Sequence, residues 1–255
     1  MEEWRLLNIE NPDLAAMNLA IDEAIFIEKT KRTVPPTLRF WKNKKAVVIG
    51  YSQNVDAEVN LDMCREEEVQ IVRRFSGGGA VYQDFGNLNY SIAIEADHPF
   101  LKGMNIIETF RALSYGVVEG LKEFGIELIF DPPSDLLVKD KKISGNAQSR
   151  RKGIIFHHGT LLVNTDLDFL NRILCVPAEK IASGKVTSRK RLVTNLEDEI
   201  GCRIEIAKVK EMLLQGFEKV FSIKLIPNML TPEEKRTADT LYAEKYSKKE
   251  WNFWR

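Results

Sequence analysis

The stretch Arg73-Arg74-Phe75-Ser76-Gly77-Gly78-Gly79-Ala80-Val81-Tyr82-Gln83-Asp84-Phe85-Gly86-Asn87 decides how this chain is read. Three consecutive glycines remove three Cβ atoms, so the backbone can take positive φ and a ligand can come close to its N–H groups. Successive N–H groups in such a turn form a concave nest suited to phosphate or carboxylate oxygens. Arg73 and Arg74 would add fixed positive charge and planar donors for the same anion. Gln70 to Arg73 before the glycines and Ala80 to Tyr82 after them read as strands, so the loop joins strand to strand. That excludes the P-loop, which needs Lys-Ser/Thr and then a helix after its last glycine, and the dinucleotide fingerprint, whose spaced glycines enter a helix. A glycine-rich hairpin with two surface arginines fits the same pattern, and the glycines alone do not separate the two. A second basic stretch at Lys142 favours the anion site.

Upstream, Trp4 to Asn8 reads as a strand. A helix is expected over Asp13 to Lys29, where Leu14, Met17, Ile21 and Ala24 recur at spacings of three and four and mark one buried face. Thr37 to Trp41 and Ala46 to Gly50 read as strands around the basic turn Lys42-Asn43-Lys44-Lys45. Ser52-Gln53-Asn54 then form a polar loop at a strand end, where binding residues often sit. Asn60 caps a short helix running to about Glu68. Downstream, Leu88 to Ile94 alternates as a strand. Asn105 to Phe124 is the clearest helix, with Ile106, Phe110, Leu113, Val117, Leu121 and Phe124 on one side. Short strands are expected at Glu127 to Phe130, Leu136 to Val138 and Lys142 to Ser144, the last two joined by a turn at Lys139-Asp140-Lys141, and a longer one at Ile155 to Val163. Ile206 to Phe221 reads as a helix, and Thr231-Pro232-Glu233-Glu234 as a capping box with proline at the first helical position. No repeat, low-complexity tract or long linker interrupts the chain, so a single domain over 1–255 is expected. Strands dominate the middle and helices interrupt them irregularly, which predicts an α+β fold rather than a regular parallel α/β sheet.

The chain has 255 residues, 44% of them hydrophobic and 29% charged, enough for a substantial core. Lys+Arg and Asp+Glu balance at 37 each, so no global field invites nucleic acid or an anionic membrane, and any anion site must be local. Cys64, Cys175 and Cys202 are odd in number and lack Cys-x-x-Cys spacing, which argues against a disulfide framework or structural zinc and fits a reducing compartment. The first residues are acidic, and no apolar run approaches about 18 residues. A cytoplasmic enzyme or binding protein is the expectation.

Two further segments carry chemistry. Lys142-Ile143-Ser144-Gly145-Asn146-Ala147-Gln148 places a lysine at a strand start, where it is better fixed than on a loop and can bridge a carboxylate and a phosphate. A solvated run of Lys139, Lys141 and Lys142 is the alternative. His157 and His158 are neighbours on a strand, so they point to opposite faces: one can face a site while the other packs. No third nearby His or Cys completes a zinc set. None of the three cysteines sits in a setting that marks a nucleophile.

Together these segments resemble the lipoate–protein ligase family over most of the chain. The resemblance rests on the arginine pair with residues 76–87, Ser134-Asp135-Leu136-Leu137-Val138, Lys142 with residues 143–148, and residues 156–167. It continues through 186–198 and 245–253. It implies an α+β fold with mixed, largely antiparallel sheets flanked by helices, of the type shared with biotin ligases. Two departures stand out. The family usually has a histidine before the aspartate that follows the glycine loop, and here Gln83 stands there, so no proton-transfer role belongs to it. Longer members also carry a small C-terminal domain with no counterpart after Arg255.

The implied activity is activation of lipoate with ATP to lipoyl-AMP, then transfer of the lipoyl group to a lysine of a lipoyl domain. Targets would be 2-oxoacid dehydrogenase acyltransferases and the glycine cleavage H protein. Arg74 and the backbone of Gly77, Gly78, Gly79, Ala80, Val81 and Tyr82 are assigned by the resemblance to the adenylate and phosphates, with Asp135, His158, Gly159 and Thr160 on the same surface. Lys142 would hold the lipoyl carboxyl and α-phosphate as charge develops. Mg²⁺ would offset anion repulsion, its ligands left open. Lys185 to Arg191 looks like the family's mobile adenylate-binding loop. An octanoyl or lipoyl transferase working through a cysteine thioester is the alternative. Related transferases place that cysteine shortly before the strand at Leu136, where this chain has Phe130, Asp131, Pro132 and Pro133. A non-catalytic carrier is disfavoured by the retained basic residues. Trp251, Phe253 and Trp254 either finish the domain's own core or form a seam for a separately encoded accessory subunit.

Overall fold

The computed structural model of the chain describes residues 1–174 and 191–255. Its strands are β1 (Glu2–Leu7), β2 (Thr37–Trp41), β3 (Lys45–Ile49), β4 (Gln70–Arg73), β5 (Val81–Asp84), β6 (Asn87–Glu95), β7 (Ile129–Asp131), β8 (Asp135–Val138), β9 (Lys141–Arg151), β10 (Ile154–Leu162) and β11 (Ile223–Asn228). The described helices are α1 (Ala15–Lys29), α2 (Val55–Glu58), α3 (Leu61–Glu66), α4 (Ile106–Leu121), α5 (Leu167–Ile173), α6 (Leu196–Ile200), α7 (Ile206–Phe221), α8 (Pro232–Leu241) and α9 (Lys249–Asn252).

Eight strands form one sheet in the order β11-β1-β2-β6-β10-β9-β8-β7, and β4-β3-β5 form a second. Pairing is antiparallel from β2 to β7, while β1 runs parallel to both β2 and β11. The fold is therefore α+β and largely antiparallel, as the sequence predicts. Strand β11 was not anticipated: it is short and ends in Pro227-Asn228, and it is held by pairing with β1 from Glu2↔Ile223 to Leu7↔Asn228.

One face of the large sheet presents Leu38, Phe40, Tyr90, Ile92, Ile155 and Leu161 to α4 and α7, forming the main core. The two helices approach closely because small residues meet: a Cβ on Gly120 would lie 2.7 Å from the Met212 carbonyl oxygen. Helix α4 begins where expected, capped reciprocally by Asn105 and Glu108 at 3.0 and 2.7 Å, but Ile106 stays in solvent. Its buried stripe is Leu113, Val117 and Leu121. The Thr231–Glu234 capping box also forms, and Glu234 doubles as the buried partner of Arg5 on β1 at 2.6 Å, which fastens α8 to the sheet.

The opposite face is covered by α1, α8 and the small sheet, and it carries polar groups. Helix α1 differs from expectation in two ways. It starts at Ala15, leaving Leu14 exposed, and it is buried nearly all round, including Asn18 and Asp22. Buried charge must be paired: Asp22 meets Arg39 at 2.6 Å and accepts from Ser91 Oγ at 2.8 Å, while Asn18 donates to Asn43 at 2.8 Å.

Candidate active site

Strands β4 and β5 do not pair with each other. Both flank β3, β4 parallel and β5 antiparallel, so the glycine loop crosses the end of β3 and is no hairpin. Arg74 N–H donates to Ile49 O at 3.0 Å and Tyr51 N–H to Ser76 O at 2.8 Å, which carries the crossing chain past that end. The loop folds around the Arg74 side chain. Its guanidinium donates to the carbonyls of Gly77 (3.0 and 2.6 Å), Gly79 (2.8 Å) and Val48 (3.2 Å). Gly78, at φ +92, is where glycine is required: a Cβ there would be strained and would meet Arg74 Nη2 at 2.9 Å.

Arg74 is buried, and among the described residues no carboxylate pairs with it. Burial pushes its pKa down to about 10, so it stays protonated at neutral pH and leaves the loop electropositive. Arg73, expected to face the same anion, turns the other way. It is fully buried, and its donors go to the carbonyls of Gly50, Tyr51, Gln53, Trp251, Asn252 and Arg255. Successive residues of a strand end cannot both aim at one ligand.

Lys142 is set by a bulge. In the β8–β9 pairing Leu136 faces Ser144 while Leu137 faces Lys142, leaving Ile143 as the extra residue. An inserted residue re-aims the side chains on either side of it along the strand. It brings Lys142 to the face that carries Gly145 and Asp135, which pair directly. Lys142 Nζ lies 2.9 Å from Asp135 Oδ1. Its backbone is held on the other side too, Lys142 N–H donating to Leu192 O at 2.8 Å and Thr194 N–H to Lys142 O at 3.0 Å. Lys139 and Lys141 instead reach Glu199, so the three lysines are not one solvated run. Arg191 joins the cluster, 2.5 Å from Asp131 and 3.5 Å from Asp135. The remainder of the expected 185–191 loop, residues 185–190, lies outside the described residues.

The two histidines face opposite sides. His158 shares its face with Ser91, Ala147 and Thr160, and its Nε2 meets Ser76 Oγ of the glycine loop at 2.6 Å. Burial, then the nearby Arg74 charge, hold its pKa well below the ordinary value, so the ring is neutral. His157 is enclosed among Tyr90, Phe110 and Gln148, and burial pushes it down to about 3. Beside Thr160 lies a polar chain that sequence reasoning did not find. Gln83 donates to Asn89 at 2.8 Å and to Thr160 at 3.0 Å, and accepts from Asn43 at 2.8 Å. Asn43 and Thr160 lie 40 and 77 residues from Gln83, and the packing of the small sheet on the large one brings them together.

These groups surround a cavity of about 320 Å³ between the large sheet and the glycine loop. Arg74, Gly78, Gly79, Ala80, Val81, Asp135, Lys142, His158, Gly159 and Thr160 line it. Gly77 and Tyr82 do not: Gly77 is exposed, and the Tyr82 ring alternates to the far side of β5 against Phe169. Leu19, Trp41, Val48 and Val81 supply an apolar wall. Among the described residues no cysteine lines the cavity. Cys64 is buried beneath the small sheet, where burial pushes its pKa up to about 11, and Cys202 is exposed elsewhere. Cys175 lies outside the described residues. No described group of three metal-ligating side chains occurs. No described helix is long and apolar enough to cross a membrane.

The sequence matches the family described as "Lipoyl protein ligase A/B catalytic domain" over residues 14–218. It is 35% identical to Lipoate-protein ligase A subunit 1 of Thermoplasma acidophilum, covering 98% of this chain and 96% of that one. It is 31% identical to Octanoyltransferase LipM of Halalkalibacterium halodurans, covering 99% of each. Among solved structures it superposes on a bi-partite lipoate protein ligase of Thermoplasma acidophilum, described with its E2 lipoyl domain (TM-score 0.86, 35% identity, 99% and 97% covered). It also superposes on a putative lipoate protein ligase of that organism with bound lipoic acid (0.84, 33%, 100% of each) and on a lipoate-protein ligase A bound with ATP (0.86, 34%, 99% of each). Relatives in sequence thus include both a lipoate ligase subunit and octanoyltransferases. This chain belongs to the lipoyl protein ligase A/B catalytic domain family.

Proposed function

We propose that this protein is the catalytic chain of an ATP-dependent lipoate–protein ligase, with 1–255 acting as one cytoplasmic catalytic domain. The observation that carries this reading is the cavity itself. Its polar end holds the Lys142 ammonium and, beside a glycine loop, a buried guanidinium that no described carboxylate pairs with. That is the equipment for an acyl carboxylate and a phosphate, and no described cysteine lines the cavity for a thioester. Lipoate would lay its chain along Leu19, Trp41 and Val48, with its carboxylate at Lys142. That carboxylate attacks the α-phosphate of ATP, pyrophosphate leaves, and the lysine of the acceptor then attacks the anhydride carbonyl and releases AMP. Lys142 faces the carbonyl and α-phosphate in both steps and offsets negative charge as it develops. Arg74 keeps the loop electropositive, and neutral His158 holds Ser76 in place. Gln83, an amide, moves no proton and fixes Asn89 and Thr160.

Magnesium is normally held through one or two carboxylates plus substrate phosphates. Asp135, with Asp131 opposite it across the β7–β8 pair, fits that donor set, and the ion would supply charge neutralisation for the triphosphate. Acceptors would be lipoyl domains of 2-oxoacid dehydrogenase acyltransferases and the glycine cleavage H protein. A separate accessory subunit is proposed by analogy with the bi-partite relative. Of the three aromatics considered for its seam, Trp251 is docked internally, donating to Arg73 O at 2.8 Å. Phe253 and Trp254 remain half-exposed, Trp254 beside Tyr51. The test is pyrophosphate release on mixing protein, ATP and lipoate. Release supports the ligase. Its absence, with acyl transfer from an octanoyl or lipoyl thioester carrier, selects the transferase reading that the similarity to octanoyltransferases keeps open.

A further inference from the structure

We infer that Arg73 and the segment Trp251–Arg255 form a strap that positions the glycine loop from behind, making Arg73 a positioning residue for nucleotide binding although it never faces the cavity. The inference rests on the ligase reading only in taking that loop as the nucleotide's seat.

A fully buried guanidinium needs partners for all its donors, and Arg73 finds them in two sets of carbonyls. Nε donates to Trp251 O at 3.1 Å, and Nη2 to Asn252 O at 3.1 Å and Arg255 O at 3.3 Å. Nη1 donates to Gly50 O at 2.9 Å, Tyr51 O at 3.0 Å and Gln53 O at 2.8 Å. The planar fork therefore ties residues 251–255 to the turn after β3. The backbone of Arg73 repeats the tie: its N–H donates to Asn252 Oδ1 at 2.9 Å, and its carbonyl accepts from Trp251 Nε1 at 2.8 Å.

The turn at Gly50–Gln53 in turn touches the glycine loop. Tyr51 N–H donates to Ser76 O at 2.8 Å, and Gly50 lies so close to the Gly78 carbonyl that a Cβ would overlap it. Asn252 is itself fixed, its amide donating to Tyr246 O at 2.9 Å and Lys248 O at 3.1 Å. A continuous chain of buried and part-buried hydrogen bonds thus runs from residues 251–255 through Arg73 and the Gly50–Gln53 turn to Ser76, with Gly50 packed against Gly78. Adjacent arginines divide the work: Arg74 shapes the loop from inside and Arg73 braces it from outside.

The test is amide hydrogen exchange on the full chain carrying Asn252→Ala or Arg73→Lys, alongside the KM for ATP and kcat for lipoyl-AMP formation. Asn252→Ala leaves Arg73 N–H unsatisfied, and one such loss is worth on the order of tenfold in a local opening equilibrium. Exchange at residues 76–80 should rise about that much while α4 and α7 stay protected, and KM for ATP should rise with kcat little changed. Arg73→Lys keeps the charge but loses the fork and should loosen the same amides. The proposal is overturned if loop exchange is unaltered in both variants, or if α4 and α7 loosen equally, which would mean general destabilisation. If the wild type releases no pyrophosphate, the ligase reading fails and the exchange experiment still decides the strap.

Discussion

Gly145→Ala isolates the placement of Lys142 from its charge. A Cβ on Gly145 would stand 2.6 Å from Lys142 Nζ and 2.7 Å from its Cε, with Asp135 Oδ1 next at 3.8 Å. Ordinary contacts begin near about 3.5 Å, so the ammonium must retreat by roughly 1 Å. The obstacle is the free end of a flexible chain, and Gly145 is not at positive φ, so neither the strand nor the core should object. Stability should change by less than about 1 kcal/mol, the usual range for a substitution that opens no cavity. Catalysis should not be so tolerant. A displacement of about 1 Å in a positioned group costs on the order of 10²-fold, which corresponds to about 2.7 kcal/mol in activation free energy. The assay is pyrophosphate release for the first half-reaction and transfer from supplied lipoyl-AMP for the second, with Tm measured in parallel. Both rates should fall together at nearly constant Tm. Wild-type rates in both would refute the idea that the Lys142 ammonium acts where the bulge puts it.

Lys142→Ala should lower both half-reactions by roughly 10²–10³, whereas Lys139→Ala, which removes only an exposed contact 3.5 Å from Glu199, should be nearly silent in the same assays. Stability should fall as pH drops below about 6.5, because the unfolded chain protonates His157 and His158 there while the folded chain holds both neutral, His157 down to about 3. His157 contributes about 2 kcal/mol of that loss between about pH 7 and pH 5, with His158 adding in the same direction, so chemical denaturation of His157→Asn at the two pH values should show a difference smaller by about 2 kcal/mol. A Cys64→Ser, Cys175→Ser, Cys202→Ser triple variant should keep its ligase rates; loss of activity in a well-folded triple variant, with a thioester trapped in the parent, would point to the transferase.

Element positions were largely legible because period and caps are local signals. The Asn105 and Thr231 caps and the strands around the glycines appear within a residue or two of where the pattern puts them. The illegible features depend on contacts distant in sequence. Nothing near Arg73 says that its donors will be taken by carbonyls about 180 residues later. The Ile143 bulge leaves no mark in composition, yet it decides which face Lys142 shares. Helix α1 reads as amphipathic because Asn18 and Asp22 are polar. Only their pairing with Asn43 and Arg39 lets that side be buried. The Gln83–Asn89–Thr160 chain likewise needs the β6–β10 register, which sets Asn89 opposite Thr160, and the packing of β5 in the small sheet against them.

The charge held around the cavity distinguishes the two half-reactions. Among the described residues, Arg74, Lys142 and Arg191 stand against Asp131 and Asp135, leaving one formal positive charge. An acyl-adenylate carries a single phosphate charge and is matched by that excess without help. Lipoate and a triphosphate together bring several negative charges, and the same residues cannot offset them; the shortfall is what a divalent cation at Asp135 and Asp131 would supply. Withdrawing Mg²⁺ with a chelator should therefore abolish pyrophosphate release while leaving transfer from supplied lipoyl-AMP within about threefold, a difference under about 1 kcal/mol. Asp135→Asn should act in the opposite sense on the two steps. It weakens the cation seat and slows activation, but it also frees the Lys142 ammonium from its 2.9 Å partner and should leave transfer unimpaired or faster. Equal loss of both half-reactions on chelation would mean that the metal acts on the adenylate itself, and the charge argument would fall with it.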